Sequence, residues 1–265
     1  MPSVNVNGLK TFYESKGEGR PLLLIHGAGG TNAYWGIQLS ELSKKLRVIA
    51  IDLPGHGKTE HLKEKATTER YAEHVAGFMK QIKLNHATIL GHSMGGIIVQ
   101  QLALKHSELF EKLIIVDSSA NFPGLPGTSN QPGNSEALRN FFLNQPPEVL
   151  QRVIISRLFS KKTLEEGHLS PLLKYLPQDA VSDPSIWVTD FEAGRGVDLR
   201  EKIKDIKIPT LIMAGADSLI PISMAQLMHE NIKGSVLEVI PDAGHMLMLE
   251  KPDLFNEAIL RFIES

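Results

Sequence analysis

The chain has 265 residues, enough for one large domain or one domain carrying an insertion, and enough to bury a core without a disulfide or metal staple. It contains no cysteine, which excludes disulfides, thiolate zinc sites and a cysteine nucleophile. With 28 basic and 30 acidic residues, a formal net charge of −2 and no basic stretch, neither a nucleic-acid partner nor an anionic-membrane surface is indicated.

In chain order, Met1-Pro2-Ser3-Val4 lacks the charged and then apolar stretch of a signal peptide. Apolar runs such as Leu22 to Ile25 are too short to span a bilayer. The expectation is a soluble, cytoplasmic protein without membrane insertion. Val4-Asn5-Val6 and Thr11-Phe12-Tyr13 flank Asn7-Gly8, a hairpin turn signal, and read as an antiparallel pair at a sheet edge. Leu22–Ile25, Val48–Ile51, Ala87–Leu90, Leu113–Val116, Thr210–Met213 and Val236–Ile240 read as strands. Most are apolar on both faces, the mark of a parallel sheet covered on both sides. Helical patterns lie between or after them, at Ile37–Lys45, Thr67–Lys83, Ser93–Lys105, Ser223–Ile232 and Pro252–Ile263. The alternation predicts an α/β sheet built from crossover units. It breaks after Val116. Asn121 to Asn134 is rich in Pro, Gly, Ser and Asn and reads as a loop. Ser135 to about Phe191 is helical in pattern, so a helical insertion of roughly seventy to eighty residues is expected, too small for an ordinary domain.

Gly91-His92-Ser93-Met94-Gly95 joins a predicted strand to a predicted helix. A sharp turn there lifts the serine hydroxyl out of the sheet and tolerates only small residues two before and two after. A Gly-x-Ser-x-Gly pattern alone could be a glycine-rich turn, but this one stands where the chemistry needs it, so Ser93 is the predicted nucleophile. A serine needs a base, and the base a carboxylate to fix its tautomer. His245, in Asp242-Ala243-Gly244-His245-Met246, follows the last strand, at the sheet end where open α/β sheets keep their sites. His92 adjoins the serine too closely in sequence to serve it, and His26 reads as a structural hydrogen-bonding residue. No histidine pair has metal-ligand spacing, so no metal is expected. For the carboxylate we favour Asp217, in Ala214-Gly215-Ala216-Asp217-Ser218; the chain order Ser93, Asp217, His245 is the one this fold uses. Asp117, at the end of the strand Leu113–Val116, is the rival. The oxyanion donors are expected to be the backbone N–H of Met94, the residue after the nucleophile, and that of Ala28 in the loop His26-Gly27-Ala28-Gly29-Gly30. Gly27 is the weaker candidate. That loop has neither the Lys-Ser/Thr nor the Gly-x-Gly-x-x-Gly opening of a phosphate cradle.

His26-Gly27, Asp52-Leu53-Pro54-Gly55-His56-Gly57, Gly91-His92-Ser93-Met94-Gly95-Gly96, Gly215-Ala216-Asp217 and Gly244-His245, in this order, resemble the α/β-hydrolase family over the whole chain outside the insertion. The resemblance implies an eight-stranded, mostly parallel sheet with helices on both faces. It also implies a core of 1–120 and 200–265, with a helical cap at 121–199 between the sixth and seventh strands. It implies no cofactor and a two-step acyl-enzyme reaction. Ser93 argues against the family's aspartate-nucleophile branches, the haloalkane dehalogenases and epoxide hydrolases. Gly29-Gly30-Thr31 and His92 depart from the pattern of carbon–carbon bond hydrolases, and Ala28-Gly29 from that of the cofactor-free haloperoxidases. Enol-lactonases, monoacylglycerol lipases and small esterases stay close, and hydrolysis of a small-molecule carboxylic ester is their common ground. A non-turnover ligand receptor of the same fold is the alternative of another class, since a fold does not fix a function.

The cap should set specificity. Trp35, Phe122, Leu125, Phe141, Phe142, Leu143, Trp187, Leu219 and Met246 are the candidate pocket residues, with plain core or cap packing as the competing reading for many of them. No Arg or Lys cluster stands in the motif loops, so a neutral, fairly apolar acyl group is expected. A homodimer is compatible with the sequence.

Overall fold

The computed structural model describes residues 2–122, 134–176 and 183–265. Eight strands form one sheet: β1 (Ser3–Val6), β2 (Leu9–Lys16), β3 (Pro21–Ile25), β4 (Arg47–Ile51), β5 (Ala87–His92), β6 (Phe110–Val116), β7 (Thr210–Gly215) and β8 (Val236–Ile240), in the order β1-β2-β4-β3-β5-β6-β7-β8. The first two strands are antiparallel and the rest run parallel. The predicted hairpin is present: Asn7 (φ 52°) and Gly8 (φ 85°) take the two positive-φ positions of the turn that fits the twist of paired strands.

The helices outside the insertion are α1 (Gly36–Glu41), α2 (Thr68–Gln81), α3 (Met94–Lys105), α8 (Ile222–Asn231), α9 (Leu247–Glu250) and α10 (Pro252–Glu264). The helix predicted over Ile37–Lys45 is α1 followed by a tighter 3-10 turn, Leu42–Lys44. Side-chain alternation explains the unbroken apolar runs. In β3, Leu23 and Ile25 join a core layer with Tyr71, Phe78, Ile98 and Leu102 of α2 and α3. Leu22 and Leu24 join the opposite layer with Leu39, Phe255 and Ile259 of α1 and α10. Both faces of the sheet are therefore buried, as a parallel sheet requires.

The chain leaves the sheet after β6 and returns before β7. The neck of this excursion is closed by a bridge between Asn121 and Asp198 and by Phe122 N–H donating to Val197 O at 3.0 Å. Within the excursion lie α4 (Asn134–Asn144), α5 (Pro147–Leu158), α6 (Lys161–Glu165) and α7 (Ser185–Gly194), the helical cap. It has its own small core of Phe142, Leu150, Trp187 and Val188. Among the described residues no helix is long and apolar enough to cross a membrane.

Strand order decides where a site can form. The chain steps from β3 outward to β4, then back past β3 to β5. Loops leaving the carboxyl ends of β3 and β5 thus diverge and leave a crevice, where open α/β sheets bind ligands.

Candidate active site

Ser93 caps α3 directly after β5, with φ 55° and ψ −119°. A positive φ on a residue bearing a Cβ is strained, and the surroundings hold it there. Ser93 N–H donates to Val116 O at 2.9 Å, and its own carbonyl accepts from Gly96 N–H at 2.9 Å and Ser118 Oγ at 2.7 Å. A Cβ on Gly95 would come 2.6 Å from the His26 carbonyl oxygen, and one on Gly91 would strike the Gly95 carbonyl. Glycine at both positions is therefore a steric requirement of the turn.

His245 lies on the loop after β8 and is 4 % exposed. The carboxylate that reaches it is Asp117, with Oδ2 at 3.3 Å from His245 Nδ1. The favoured Asp217 is not brought to His245. It stands exposed, on the wall of an outer groove beside Lys161 and Lys162. The reason is local. After β7 the chain turns, Asp217 N–H donates to Ala243 O at 2.9 Å, and the side chain is left at the outer corner. Ser218 turns inward instead. Its hydroxyl donates to Asp117, accepts from Ile220 N–H at 3.1 Å and stands 3.4 Å from His245 Nδ1. Asp117 is level with Ser93 because His92 pairs with Val116 across β5 and β6. A φ of 45° turns the chain immediately there, and Gly215 N–H donates to Asp117 Oδ1 at 3.3 Å.

Burial pushes the His245 imidazole down to about 4 and the Asp117 carboxyl up. Both shifts have the same cause, the cost of a charge away from water. His245 is therefore neutral near pH 7, as a general base must be. No hydrogen bond joins Ser93 Oγ to His245 among the described residues, though both line one cavity; such bonds often tighten only when substrate is bound. His92 has a part that the sequence did not reveal. Its ring lies 4.6 Å from that of His245, and its Nε2 donates to the His245 carbonyl at 2.9 Å. It braces His245 through the backbone, and burial pushes its own pKa down to about 3.

Met94 and Ala28 both line the cavity beside Ser93. The loop after β3 lies against Ser93 so closely that a Cβ on Gly27 would sit 2.8 Å from Ser93 Cβ. Gly27 O accepts from Gly30 N–H at 3.1 Å and from His26 Nδ1 at 2.8 Å. His26 Nε2 accepts from Leu53 N–H at 3.0 Å, which places the ring hydrogen on Nδ1. In a trans peptide the next N–H points opposite to that carbonyl, so Ala28 N–H is turned away from His26.

The cavity measures about 550 Å³, within the usual range for small-molecule sites. Of the predicted pocket residues, Phe122, Phe141, Phe142, Trp187, Leu219 and Met246 line it. Two expectations fail. Trp35 is fully buried beneath the site, edge-on to His92 at 6.3 Å, because its aromatic bulk fills the core layer under the sheet. Leu143 is 45 % exposed on the outer side of α4. Leu125 lies outside the described residues. The sequence reading missed Phe191, Val153, Ile154 and Ile97, whose helical spacing gives no sign of which face meets the cavity. Among the described residues no cluster of His, Asp and Glu could hold a metal ion.

A doubly wound sheet with a serine on a strand-to-helix turn, under a helical cap, defines an α/β enzyme fold with its chemistry at the strand ends. The sequence profile of the alpha/beta hydrolase fold matches residues 20–252, and the chain belongs to that family. It is 28% identical over 260 residues to a pimeloyl-[acyl-carrier protein] methyl ester esterase of Pectobacterium carotovorum, covering 96% of this chain and 98% of that one. It is 27% identical over 269 residues to a 2-hydroxy-6-oxo-6-(2'-aminophenyl)hexa-2,4-dienoic acid hydrolase of Metapseudomonas resinovorans, covering 98% and 89%. Its structure resembles the enol-lactonase of Burkholderia xenovorans LB400 with a TM-score of 0.86 at 25% identity, each chain fully covered. The names of these relatives share hydrolysis and differ in substrate.

Proposed function

We propose that the protein is a serine hydrolase that cleaves carboxylic esters through an acyl-enzyme, with Ser93 as nucleophile, His245 as base and Asp117 as its orienter. The observation that carries this reading is the convergence of two strained turns on one apolar cavity. Ser93 enters it from the end of β5, and His245 enters backed by a buried carboxylate at 3.3 Å. Ser93 Oγ attacks the ester carbonyl carbon while its proton passes to His245 Nε2. The resulting alkoxide is held by the N–H groups of Met94 and Ala28. Collapse expels the alcohol, which takes the proton from His245. A water then gives His245 a proton and attacks the acyl carbon, and release of the acid returns the proton to Ser93.

The cavity wall is largely apolar, and Arg157 is the one Lys or Arg among the described residues that line it. The rings of Phe142 and Trp187 are nearly parallel, with centroids 6.0 Å apart, and Phe191 stacks against both. These rings offer an acyl chain apolar contact and no charge partner, which supports a neutral acyl group of modest length.

The test is a panel of p-nitrophenyl esters of increasing acyl length, run beside an enol-lactone and a vinylogous diketone. Repeated turnover of the esters is expected, with Ser93→Ala and His245→Ala each reducing kcat by about a millionfold. Near-wild-type turnover by Ser93→Ala would sink the mechanism. Faster cleavage of the diketone than of any ester would move the substrate to the carbon–carbon class. Binding without turnover would favour a receptor.

A further inference from the structure

A second carboxylate is buried at the site, and the mechanism above does not use it. Asp190, on α7 of the cap, is wholly shielded from solvent. Its Oδ2 accepts from the Gly29 N–H at 2.8 Å and lies 2.8 Å from His56 Nε2. Its Oδ1 accepts from the Tyr71 hydroxyl at 3.3 Å. The other ring nitrogen of His56 faces the Pro54 carbonyl at 3.1 Å. Both imidazole nitrogens thus face acceptors, so both must donate, and His56 is an imidazolium paired with Asp190. A buried ion pair of this kind is weak evidence for stability, because removing two charges from water costs about what their attraction returns. Its place in the molecule suggests another purpose.

Gly29 is the residue after Ala28, the second oxyanion donor. The two peptides flanking Ala28 are fixed from different directions. The first is held from the core, through Gly27 O on His26 and Gly30. The second carries Gly29 N–H, and its holder is Asp190, from the cap. Gly29 has φ 61°, and a Cβ there would come 2.5 Å from the Trp187 ring. Trp187, one turn before Asp190 on α7, therefore lies directly on the loop. The same helix both walls the acyl cavity and grips the loop that would receive the oxyanion.

We propose that Asp190 is a positioning residue for the oxyanion loop. By holding Gly29 N–H it fixes the peptide that follows Ala28, so that Ala28, the second oxyanion donor, is braced from both sides only while α7 is docked. This rests on the serine-hydrolase reading above. The donor must meet the alkoxide to within tenths of an ångström, and a misplacement of about 1 Å costs on the order of a hundredfold in rate.

The experiment compares Asp190→Ala, Asp190→Asn and the double variant His56→Leu/Asp190→Leu, on p-nitrophenyl acetate and p-nitrophenyl hexanoate. The double variant replaces the ion pair with apolar side chains, a change that often preserves folding, yet it leaves Gly29 N–H without its acceptor. On the acetate, whose acyl group is too short to need the aromatic wall, Asp190→Ala and the double variant should lower kcat by about ten- to a hundredfold with KM within about twofold. Asp190→Asn still offers an amide oxygen to Gly29 and should stay within about fivefold of wild type. An unchanged kcat on acetate in either folded apolar variant overturns the proposal. So does a rise in KM confined to hexanoate, which would make Asp190 a tether of the cap alone, or an asparagine variant no better than alanine. Failure of both apolar variants to fold would assign Asp190 to stability and also overturn it. If the wild-type protein turns over neither ester, the hydrolase reading itself fails, a result distinct from all of these.

Discussion

Asp117 and Asp217 differ by one side chain's direction, and two substitutions separate them. Asp117→Asn should reduce kcat/KM by about ten-thousandfold, because an amide cannot hold the imidazole in the required tautomer. Asp217→Asn should leave it within about threefold, since an exposed carboxylate on an outer groove contributes little. The reverse pattern would restore Asp217 as the orienter. The pH profile is a second check. Burial lowers the pKa of His245, so the base stays neutral below the ordinary histidine value of about 6.5. The acid limb of kcat/KM should therefore fall well below pH 6, with reversibility confirmed by returning samples to pH 7. A midpoint near 7 would contradict the burial. At this scale the sequence was legible where a motif fixes a backbone. Gly91, Ser93 and Gly95 specify their turn through contacts that their spacing implies. It was not legible for the two aspartates. Each ends a strand on the same side of the sheet, and only the turn of residues 215–218 decides which one faces inward. Strand order decides it: β6 lies beside β5, so a residue just past its end is the nearer neighbour of Ser93.

Elements carry these residues, and the cap is fastened to the sheet at both loops that serve the chemistry. Asp190 grips the loop after β3 on one side. On the other, Glu250 of α9 accepts from Gly244 N–H at 2.7 Å through Oε1. Its Oε2 accepts from Ser160 N–H at 3.0 Å and from the Ser160 and Thr163 hydroxyls, each at 2.6 Å. Ser160 and Thr163 belong to the start of α6, and Gly244 precedes the base. A Cβ on Gly244 would strike the Ser160 N–H, so the two segments meet backbone to backbone. Met246 N–H adds a bond to Leu158 O at 3.0 Å, at the end of α5. Glu250→Ala removes a charged acceptor from four donors and should cost about 3 kcal/mol of stability, or a melting temperature lower by roughly 6–12 °C in a protein of this size. Glu250→Gln should recover part of it. A melting point unchanged in the alanine variant would show that the latch contributes nothing. The sheet helices and strands were legible because their apolar periods leave little choice. The latches were not: a lone Glu in α9 or a lone Asp in α7 looks like a solvated position until the partner loops are in place.

Over the whole molecule, the unusual feature is how many imidazoles are kept away from water. Burial lowers the pKa of His26 well below 6.5, of His74 and His245 to about 4, and of His92 to about 3. In the native state these rings stay neutral while in the unfolded chain they take up protons near pH 6.5. Stability therefore falls as pH drops from 6.5 toward 4, by about 1.4 kcal/mol per pH unit for each such ring. Two groups oppose this. Burial raises the carboxyls of Asp117 and Asp52, a shift of the opposite sense in the proton balance. His56 is raised by Asp190 against the effect of burial, so near pH 6.5 and above it also opposes the loss, and it adds no slope well below that. Four rings against two carboxyls leave the histidines as the larger contribution, so stability declines on acidification. The melting temperature should accordingly fall between pH 7 and pH 5. His74 isolates one contribution: its Nε2 meets Thr11 Oγ1 at 3.0 Å, between α2 and β2 and off the cavity wall. His74→Gln keeps a polar partner for Thr11 and removes the titration, so it should flatten the pH dependence of stability by about one proton and leave ester turnover unchanged. A melting temperature that held constant or rose between pH 7 and pH 5 would mean that the buried carboxyls, rather than the histidines, dominate the proton balance.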